Sequence, residues 1–385
     1  MTIQRVPFNH ESVTNGLEGV VAATTRLSHV DGEAGRLTLA GYAVEDLAPY
    51  ATFEEVAHLL LQGRLPEPAE RVAFAKELAG RRALPHGAIE VLREAAAANT
   101  TPMDALRMAV PILSLGRAEN PLEDAIAAIA AFPAIVGTYW RFCNGEPPVP
   151  IRSDLSHAAH YLHQLSGAEP TGDRARALET YLNTVCDHGL NASTFAARVI
   201  VSTQSDVISA ITGAVGALKG PLHGGAPGPA LQMVFEIGSP ERAEAFIRAK
   251  LDRGERLMGF GHRIYRVRDP RADVLARAAD RFYSTGGDKR LYELARSVEA
   301  TALRLLRERK PDRPLDTNVE FYTALLLHGL GLPLELFTPT FAVGRVLGWS
   351  AHCLEQLREG RLIRPQSTYV GPVDLHYHPA PMNGA

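Results

Sequence analysis

Apolar residues recur every three or four positions along most of this chain, and this helical spacing is the strongest constraint on its fold. The spacing is clear over residues 52–62, 68–79 and 178–202. Runs that alternate apolar and polar residues are scarce; the main candidate is 36–42, after the turn dipeptide Asp31-Gly32. The sequence therefore predicts a mainly α-helical protein with one small β-hairpin near the N-terminus.

The chain of 385 residues is longer than one ordinary domain, which favours two domains. Clusters of Gly and Pro at 220–229 and 310–314 are the clearest candidate boundaries, and the segment between them is richer in Arg and Asp. This pattern fits a small domain inserted into a larger one. We expect residues 1–219 and 327–385 to form a large helical domain and residues 220–326 a small domain.

The charge balance and the cysteines exclude several classes of protein. Forty basic and 43 acidic residues leave a net charge of −3, and no block of Lys and Arg marks a nucleic-acid surface. The three cysteines, Cys143, Cys186 and Cys353, are far apart and odd in number. They are typical of buried thiols in a reducing compartment, not of a disulfide framework.

No segment of the sequence is typical of a signal peptide or a membrane span. The N-terminus has no apolar core of the kind that signal peptides carry. The most apolar stretch, 125–140, contains Pro133 and is shorter than the roughly 20 residues that cross a bilayer. We expect it to be a buried core helix, and we expect the protein to be cytoplasmic.

Two glycine-rich stretches each carry one histidine. In LKGPLHGGA, residues 218–226, the glycines around His223 allow a substrate to approach closely. In MGFGHRIYRVRDPR, residues 258–271, His262 is followed by Arg263, Arg266, Arg268 and Arg271. Forked guanidinium groups beside glycines are typical of sites that bind carboxylates or phosphates. The alternatives are a histidine that caps a turn and a solvated basic turn.

A carboxylate and two arginines follow in the last quarter of the chain. Glu320, in TNVEFY, begins a predicted helix among apolar residues, where burial would raise its pKa and suit a general base. A Glu at this position more often stabilises the helix N-terminus, so that alternative stays open. Arg345 lies on an apolar predicted helix, where a buried arginine needs an anionic partner. Arg364 follows in a Pro-flanked tail.

Three further histidines, His157, His160 and His163, recur at intervals of three residues. This spacing makes them drift around a helix, and no acidic residue accompanies them, so a metal site is the less favoured interpretation. We expect a helix that faces solvent or a second subunit.

The motifs LKGPLHGGA, GFGHRIYRVRDPRA, NVEFY and FAVGRVLGWSAHCLEQ, in this order, resemble the citrate synthase family. EEVAHLLLQGRLP and HGLNASTFAARVIVST extend the resemblance upstream, so that it covers about 16–371. It implies a two-domain helical fold, in which a large dimer-forming domain carries a small domain that closes over the active site. It also implies a homodimer, small-molecule substrates, and no cofactor, since acetyl-CoA is itself a substrate.

The resemblance implies one reaction and three catalytic roles. Acetyl-CoA, oxaloacetate and water would give citrate and CoA, a step of the tricarboxylic acid cycle. His223 would polarise the thioester carbonyl, Glu320 would remove a proton from the adjacent carbon, and His262 would protonate the ketone of oxaloacetate.

The family positions also imply a set of binding residues. Oxaloacetate would be bound by His188, Arg271 and Arg345, with Arg364 reaching in from the partner subunit, and CoA would contact Arg266.

This sequence departs from the family pattern at four positions. The base is usually Asp, and here it is Glu320; the other three are Ala40, Gly189 and Pro227. These departures leave two alternatives to citrate synthesis. One is 2-methylcitrate synthesis from propionyl-CoA, since one methylene changes selectivity by only about 1–3 kcal/mol. The other is a non-catalytic relative that binds CoA or a dicarboxylate.

Overall fold

Helices make up most of the structure, as the apolar spacing predicts. The computed structural model describes residues 15–224, 227–262, 264–311 and 315–377. Arg263, part of the basic stretch after His262, lies outside the described residues, as do parts of both predicted domain boundaries. Within the described residues there are sixteen α-helices and one three-stranded sheet, so the mainly α fold is confirmed.

The helices of the first half are α1 (Val44–Leu47), α2 (Phe53–Gln62), α3 (Pro68–Gly80), α4 (His86–Ala97), α5 (Pro102–Ala109), α6 (Pro121–Cys143), α7 (His157–Ser166) and α8 (Gly172–Val185). Those of the second half are α9 (Ala192–Val201), α10 (Val207–Leu218), α11 (Pro227–Ile237), α12 (Pro240–Asp252), α13 (Pro270–Thr285), α14 (Lys289–Arg309), α15 (Val319–Gly329) and α16 (Phe337–Glu359). Short 3₁₀ turns occur at Asn15–Leu17, Val110–Ser114 and Leu334–Leu336.

The sheet contains the predicted hairpin. Strands β1 (Ser28–Asp31), β2 (Arg36–Leu39) and β3 (Tyr42–Ala43) run antiparallel in the order β1-β2-β3. Leu37 and Leu39 of β2 are fully buried, while Arg36 is exposed, so one face of the strand packs on the core.

Helix α6 lies at the centre of the core. It packs against α16, α7 and α4, and it carries Pro133 within its length. It is long and apolar enough to cross a membrane, but 83% of its most apolar window is buried inside the protein. This burial agrees with the core helix that the sequence predicts. Cys143, at its C-terminal end, is exposed, so the expectation of three buried thiols was wrong at this position.

The predicted helix over 178–202 is broken in the structure. Helix α8 ends at Val185 and α9 begins only at Ala192. Gly189 has a φ of +60°, a conformation that favours glycine and that a helix cannot contain. The side chain of Asn191 then accepts a hydrogen bond from Thr194 N at 3.1 Å and begins the new helix. The break frees His188 from helical geometry and leaves the first N–H groups of α9 without partners inside the helix.

Helix α7 differs from its prediction as well. His157 and His160 are fully buried, and His163 is 7% exposed. The expectation of a helix facing solvent or a second subunit was therefore wrong, because α2, α6 and α8 of the same chain cover it.

The chain divides into two compact units. One consists of Met1–Thr24 and Leu362–Ala385, and its described residues are largely exposed and non-helical. The other, Thr25–Arg361, contains every strand and α-helix described above. The predicted small domain, 220–326, lies within this second unit, and its separation from a large domain stays a prediction.

Candidate active site

Six of the eight residues predicted for the site share one region of the second unit. They are His188, His223, His262, Arg271, Glu320 and Arg345. Each of the six contacts at least one of the others or interacts with it electrostatically.

The loop that carries His262 is joined to the segment that carries Glu320 by backbone hydrogen bonds. Phe260 and Thr317 form an antiparallel bridge, and Gly261 N donates to Asp316 O at 2.7 Å. Gly259 has a φ of +88°, and a Cβ there would lie 3.0 Å from the ring of Phe321. Only glycine fits this turn, which explains the glycine three residues before the histidine.

Asn318 joins the same two segments through its side chain. Its Oδ1 accepts from Glu320 N at 3.0 Å, which begins helix α15, and its Nδ2 donates to Gly261 O at 2.8 Å. Glu320 therefore lies in the first turn of a helix that is tied to the His262 loop.

His262 has one nitrogen that is fixed as an acceptor. Its Nδ1 accepts from the backbone N–H groups of Ile264 and Tyr265, at 3.0 and 3.1 Å. Burial, together with the charge of Arg271, lowers its pKa to about 4, so the ring is neutral at pH 7 and its hydrogen lies on Nε2. Arg271 Nη2 lies 3.3 Å from this Nε2. Both atoms carry hydrogen, and an acceptor oxygen placed between them would satisfy both.

Arg271 is held by a buried carboxylate. Its Nε and Nη2 donate to the two oxygens of Asp269, at 3.1 and 2.9 Å, and Val319 N donates to the same carboxylate at 3.2 Å. Burial alone would lower the pKa of Arg271, but Asp269 outweighs it and the pKa is raised. The guanidinium is therefore a fixed positive charge beside His262.

Arg345 is a buried cation of a different kind. It is 2% exposed, its Nε donates to Val185 O at 2.6 Å, and its guanidinium lies 4.4 Å from the ring centre of Phe341. Burial lowers its pKa to about 10, so it stays charged at neutral pH. Among the described residues it makes no salt bridge, and a buried cation without one is stabilised by an anionic ligand.

His188 lies in the break between α8 and α9. Its Nε2 is 3.1 Å from Tyr265 Oη, and its ring centre is 5.8 Å from that of His262. Burial, followed by the charges of Arg271 and Arg345, holds its pKa well below the usual range. It is therefore a neutral hydrogen-bonding group beside two cations.

His223 is positioned by the first turn of α9. Ser193 Oγ lies 2.8 Å from Nε2, and Ser193 N donates to the same nitrogen at 3.4 Å. Because a backbone N–H can only donate, we assign Nε2 as the acceptor and the ring hydrogen to Nδ1. Trp349 Nε1 donates to Ser193 Oγ at 3.0 Å and holds the hydroxyl in place. Burial lowers the pKa of His223 to about 4, so this ring is neutral too.

Glu320 combines partial exposure with a crowded surrounding. Burial raises its pKa to about 7; Arg271 and Arg345 oppose this increase, and Asp269 adds to it. Its carboxylate makes no hydrogen bond to a described residue. A carboxylate with a pKa near neutrality, in the same region as two neutral histidines, can act as a general base.

The comparisons with known proteins agree with this arrangement. The family model described as "Citrate synthase, C-terminal domain" matches residues 16–366. The chain belongs to the citrate synthase family. A citrate synthase of Haloferax volcanii is 41% identical over 94% of this chain and 97% of the relative. A 2-methylcitrate synthase of Shewanella oneidensis is 40% identical over 92% of this chain and 94% of the relative.

Solved structures of the family have the same fold. The crystal structure of citrate synthase from Pyrobaculum aerophilum matches with a TM-score of 0.88 and 37% identity, covering 98% of this chain and 97% of that chain. The structure of the Thermoplasma acidophilum citrate synthase in a ternary complex with carboxymethyl-CoA and oxaloacetate matches with a TM-score of 0.84 and 32% identity. The match covers 96% of this chain and 98% of that chain.

Two residues that the family positions imply lie outside the cluster of six. Arg266 is exposed, and its nearest carboxylate is that of Glu33, at 3.8 Å. Arg364 is exposed in the terminal unit. Their roles toward CoA and toward a partner subunit stay predictions.

Sequence reasoning missed three residues that support this family site, namely Ser193, Tyr265 and Asp269. Asp269 had a recognisable signal, because Asp before Pro270 is typical of a helix start. Tyr265 and Ser193 had none beyond their closeness in sequence to the family motifs, since their partners are distant in the chain.

Proposed function

We propose that this protein condenses acetyl-CoA with oxaloacetate and water to give citrate and CoA. The observation that carries the proposal is Glu320, whose pKa of about 7 suits a base and which lies in the electrostatic field of Arg271 and Arg345. The same two cations act on the neutral histidines of the site, Arg271 on His262 and Arg345 on His223. Membership of the family supports the same reaction. The chemistry needs no cofactor, because the substrates supply every reacting atom.

Oxaloacetate has two carboxylates, and the site offers two buried cations. Arg345 makes no salt bridge within the described residues, although the charge of Asp187 acts on it, and Arg271 leaves one edge of its guanidinium toward His262. In our proposal His188 donates a further hydrogen bond, and Arg364 of a partner subunit completes the site. The ternary complex of the Thermoplasma enzyme with oxaloacetate supports this class of ligand.

In the first step Glu320 removes a proton from the carbon next to the thioester carbonyl. The electron pair of the broken C–H bond moves toward the carbonyl oxygen, which receives a hydrogen bond from Nδ1–H of His223. The α-proton of a thioester is weakly acidic, so base and donor must act together. Such a base contributes about 10²–10⁴-fold, and a preorganised donor at the oxygen about 10²–10³-fold.

In the second step the new enol carbon attacks the ketone carbon of oxaloacetate. His262 gives its Nε2 hydrogen to the ketone oxygen as the carbon–carbon bond forms, and the imidazolate that remains is stabilised by the two N–H groups at Nδ1 and by the charge of Arg271. Water then attacks the thioester carbonyl, and its oxygen becomes part of the new carboxylate. One proton of the water returns to His262 and the other is released, while the proton held by Glu320 goes to the departing CoA thiolate. Closure of a small domain, 220–326, would keep water from the acyl-CoA before condensation.

We infer that the working protein is a cytoplasmic homodimer. Its substrates are small molecules, and Arg266 contacts CoA in our proposal. The exposed position of Arg266 suits a phosphate-bearing ligand that enters from the surface.

A second candidate is the same chemistry on propionyl-CoA, which would give 2-methylcitrate. The relative from Shewanella oneidensis carries that name and is 40% identical, almost the same as the 41% of the Haloferax citrate synthase. One methylene changes selectivity by only about 1–3 kcal/mol, so overall identity does not separate the two substrates.

The test is a thiol-release assay with each acyl-CoA, run with and without oxaloacetate. We expect oxaloacetate-dependent release, faster with acetyl-CoA, and loss of release in Glu320→Gln while oxaloacetate still binds by calorimetry. Faster release with propionyl-CoA would favour the second candidate. Absence of release with both substrates would show a non-catalytic binding protein.

A further inference from the structure

Tyr181 is a fully buried tyrosine whose hydroxyl has no hydrogen-bond partner among the described residues. It lies on α8, away from every motif that identifies the family. Buried hydroxyl groups nearly always find a partner, because an unpaired one has lost its hydrogen bonds to water without replacement. An unpaired buried hydroxyl therefore points to a partner that another state of the protein supplies.

The surroundings of Tyr181 indicate where that partner lies. Tyr181 is one helical turn before Val185, so both face the same side of α8, and the carbonyl of Val185 accepts from Arg345. Helix α8 packs against α13, α15 and α16, which carry Arg271, Glu320 and Arg345. After burial, the charge of Glu320 contributes most to raising the pKa of Tyr181.

The carboxylate of Glu320 is the complementary group. It makes no hydrogen bond to a described residue, whereas Arg271 is already held by Asp269 and Arg345 by Val185. A phenol O–H donates and a carboxylate accepts, so each of the two unpaired groups offers what the other needs. The side chain of Glu is one methylene longer than the Asp that usually stands at this position, which extends its reach.

We propose that Tyr181 is a positioning residue for the base: in the substrate complex its hydroxyl donates to one carboxylate oxygen of Glu320. The other oxygen then faces the carbon that loses its proton. This inference rests on the proposed function, because it concerns the base of that reaction.

The test compares Tyr181→Phe with Tyr161→Phe. Tyr161 is equally buried, but its hydroxyl is 2.8 Å from Thr340 Oγ1 and is therefore already paired. A hydrogen bond to a charged group corresponds to about 10- to 100-fold in rate, so we expect Tyr181→Phe to lower kcat by that factor. We expect Tyr161→Phe to leave kcat within about twofold and to lower thermal stability instead.

The pH dependence separates positioning from a merely structural role. The profile of kcat reports groups in the substrate complex, and that of kcat/KM reports the free enzyme. A donor to ionised Glu320 lowers its pKa, so its loss should move the acid limb of kcat upward by about one pH unit. The acid limb of kcat/KM should not move, because in the free enzyme the hydroxyl makes no hydrogen bond to a described residue.

A double-mutant cycle tests the partner. Glu320→Asp shortens the side chain, so in that background Tyr181→Phe should have no further effect on kcat. Equal effects of Tyr181→Phe in both backgrounds would overturn the proposal, as would unchanged kcat and pH profiles in the single variant.

A second substitution at the same position controls for misfolding of the Tyr181→Phe variant. Replacing Tyr181 by 3-fluorotyrosine keeps the shape and strengthens the donor, so the acid limb of kcat should move downward; no movement would contradict the proposal. If the unmodified protein releases no thiol at all, the proposed function fails. If it is active and neither substitution changes its kcat profile, only the role of Tyr181 fails.

Discussion

Two groups of three histidines lie in this protein, and they differ in how their rings are held. Each histidine of the candidate site has a hydrogen-bond partner within the described residues. The partner of His188 is the Tyr265 hydroxyl, and that of His223 is Ser193. His262 accepts from the backbone N–H groups of Ile264 and Tyr265. On α7, both ring nitrogens of His157, His160 and His163 are buried without a partner there.

The difference follows from where the two groups lie along the chain. The three site histidines stand between helices. Backbone N–H groups without a helical partner hold the rings of His223 and His262, and the hydroxyl of Tyr265 contacts that of His188. His157 begins α7, and its own N–H donates to Glu54. His160 and His163 lie within the helix, where the backbone N–H groups are already used. A regular row of histidines in a sequence is therefore weaker grounds for a site than a single histidine beside a break in a helix.

The largest effect should come from exchanging histidine for glutamine in each group. We expect His223→Gln and His262→Gln each to lower kcat by about 10²–10⁴-fold with little change in stability. A glutamine amide does not reproduce the Nδ1–H of His223, and it cannot transfer a proton in place of His262. His163→Gln is the matched control and should keep kcat. Steady-state thiol release and thermal unfolding measure the two properties; a comparable loss of kcat in the control would break the comparison.

Acid should act on the rate through Glu320 and not through the site histidines. The base must be ionised, so kcat/KM should fall about tenfold per pH unit below about 7, reaching about 100-fold at pH 5. His223 and His262, with pKa values lowered to about 4, stay neutral over this range. A pH series of kcat/KM checks this, and a flat profile from pH 7 to 5 would contradict it.

Low pH should lower the stability of the protein through the buried His160 of α7. Burial, with the charge of Arg82, lowers the pKa of His160 to about 3, while an unfolded histidine titrates near 6.5. Below pH 6.5 the unfolded state binds the proton and the folded state does not, so stability falls as pH falls. Relative to His160→Leu, the free energy of unfolding should drop by about 2 kcal/mol between pH 7 and 5. Denaturant unfolding at both pH values measures this, and parallel losses in both proteins would refute it.

The smallest effect on kcat should come from removing the serine hydroxyl that holds the ring of His223. Ser193→Ala removes the hydroxyl beside Nε2 of His223 but leaves the backbone N–H in place. One neutral hydrogen bond corresponds to about 3- to 10-fold, so we expect kcat to fall by that factor. Ser193→Thr, which keeps the hydroxyl, should lose less activity. A loss in Ser193→Ala as large as that in His223→Gln would show that the hydroxyl has a role beyond support.

Much of the fold and of the site could be predicted from the sequence. Apolar spacing predicted the helices and the hairpin, and the family motifs singled out the six residues that the structure places in one region. The break at 186–191 was missed because its cause, the φ of Gly189, depends on contacts with residues distant in the chain, among them Ser28. The burial of His160 was missed for a similar reason, since the residues that cover α7 come from three other helices.

The bridge between Phe260 and Thr317 has a mechanical consequence. The proposed base, Glu320, and the proposed proton donor, His262, adjoin the same short piece of paired backbone. Their separation is then a local property, and a rigid-body rotation of this region would carry both together and preserve their spacing. Glu in place of Asp at position 320 lengthens that side chain by one methylene without altering the backbone bridge. The reach of the proposed base can therefore change while the position of His262 stays the same.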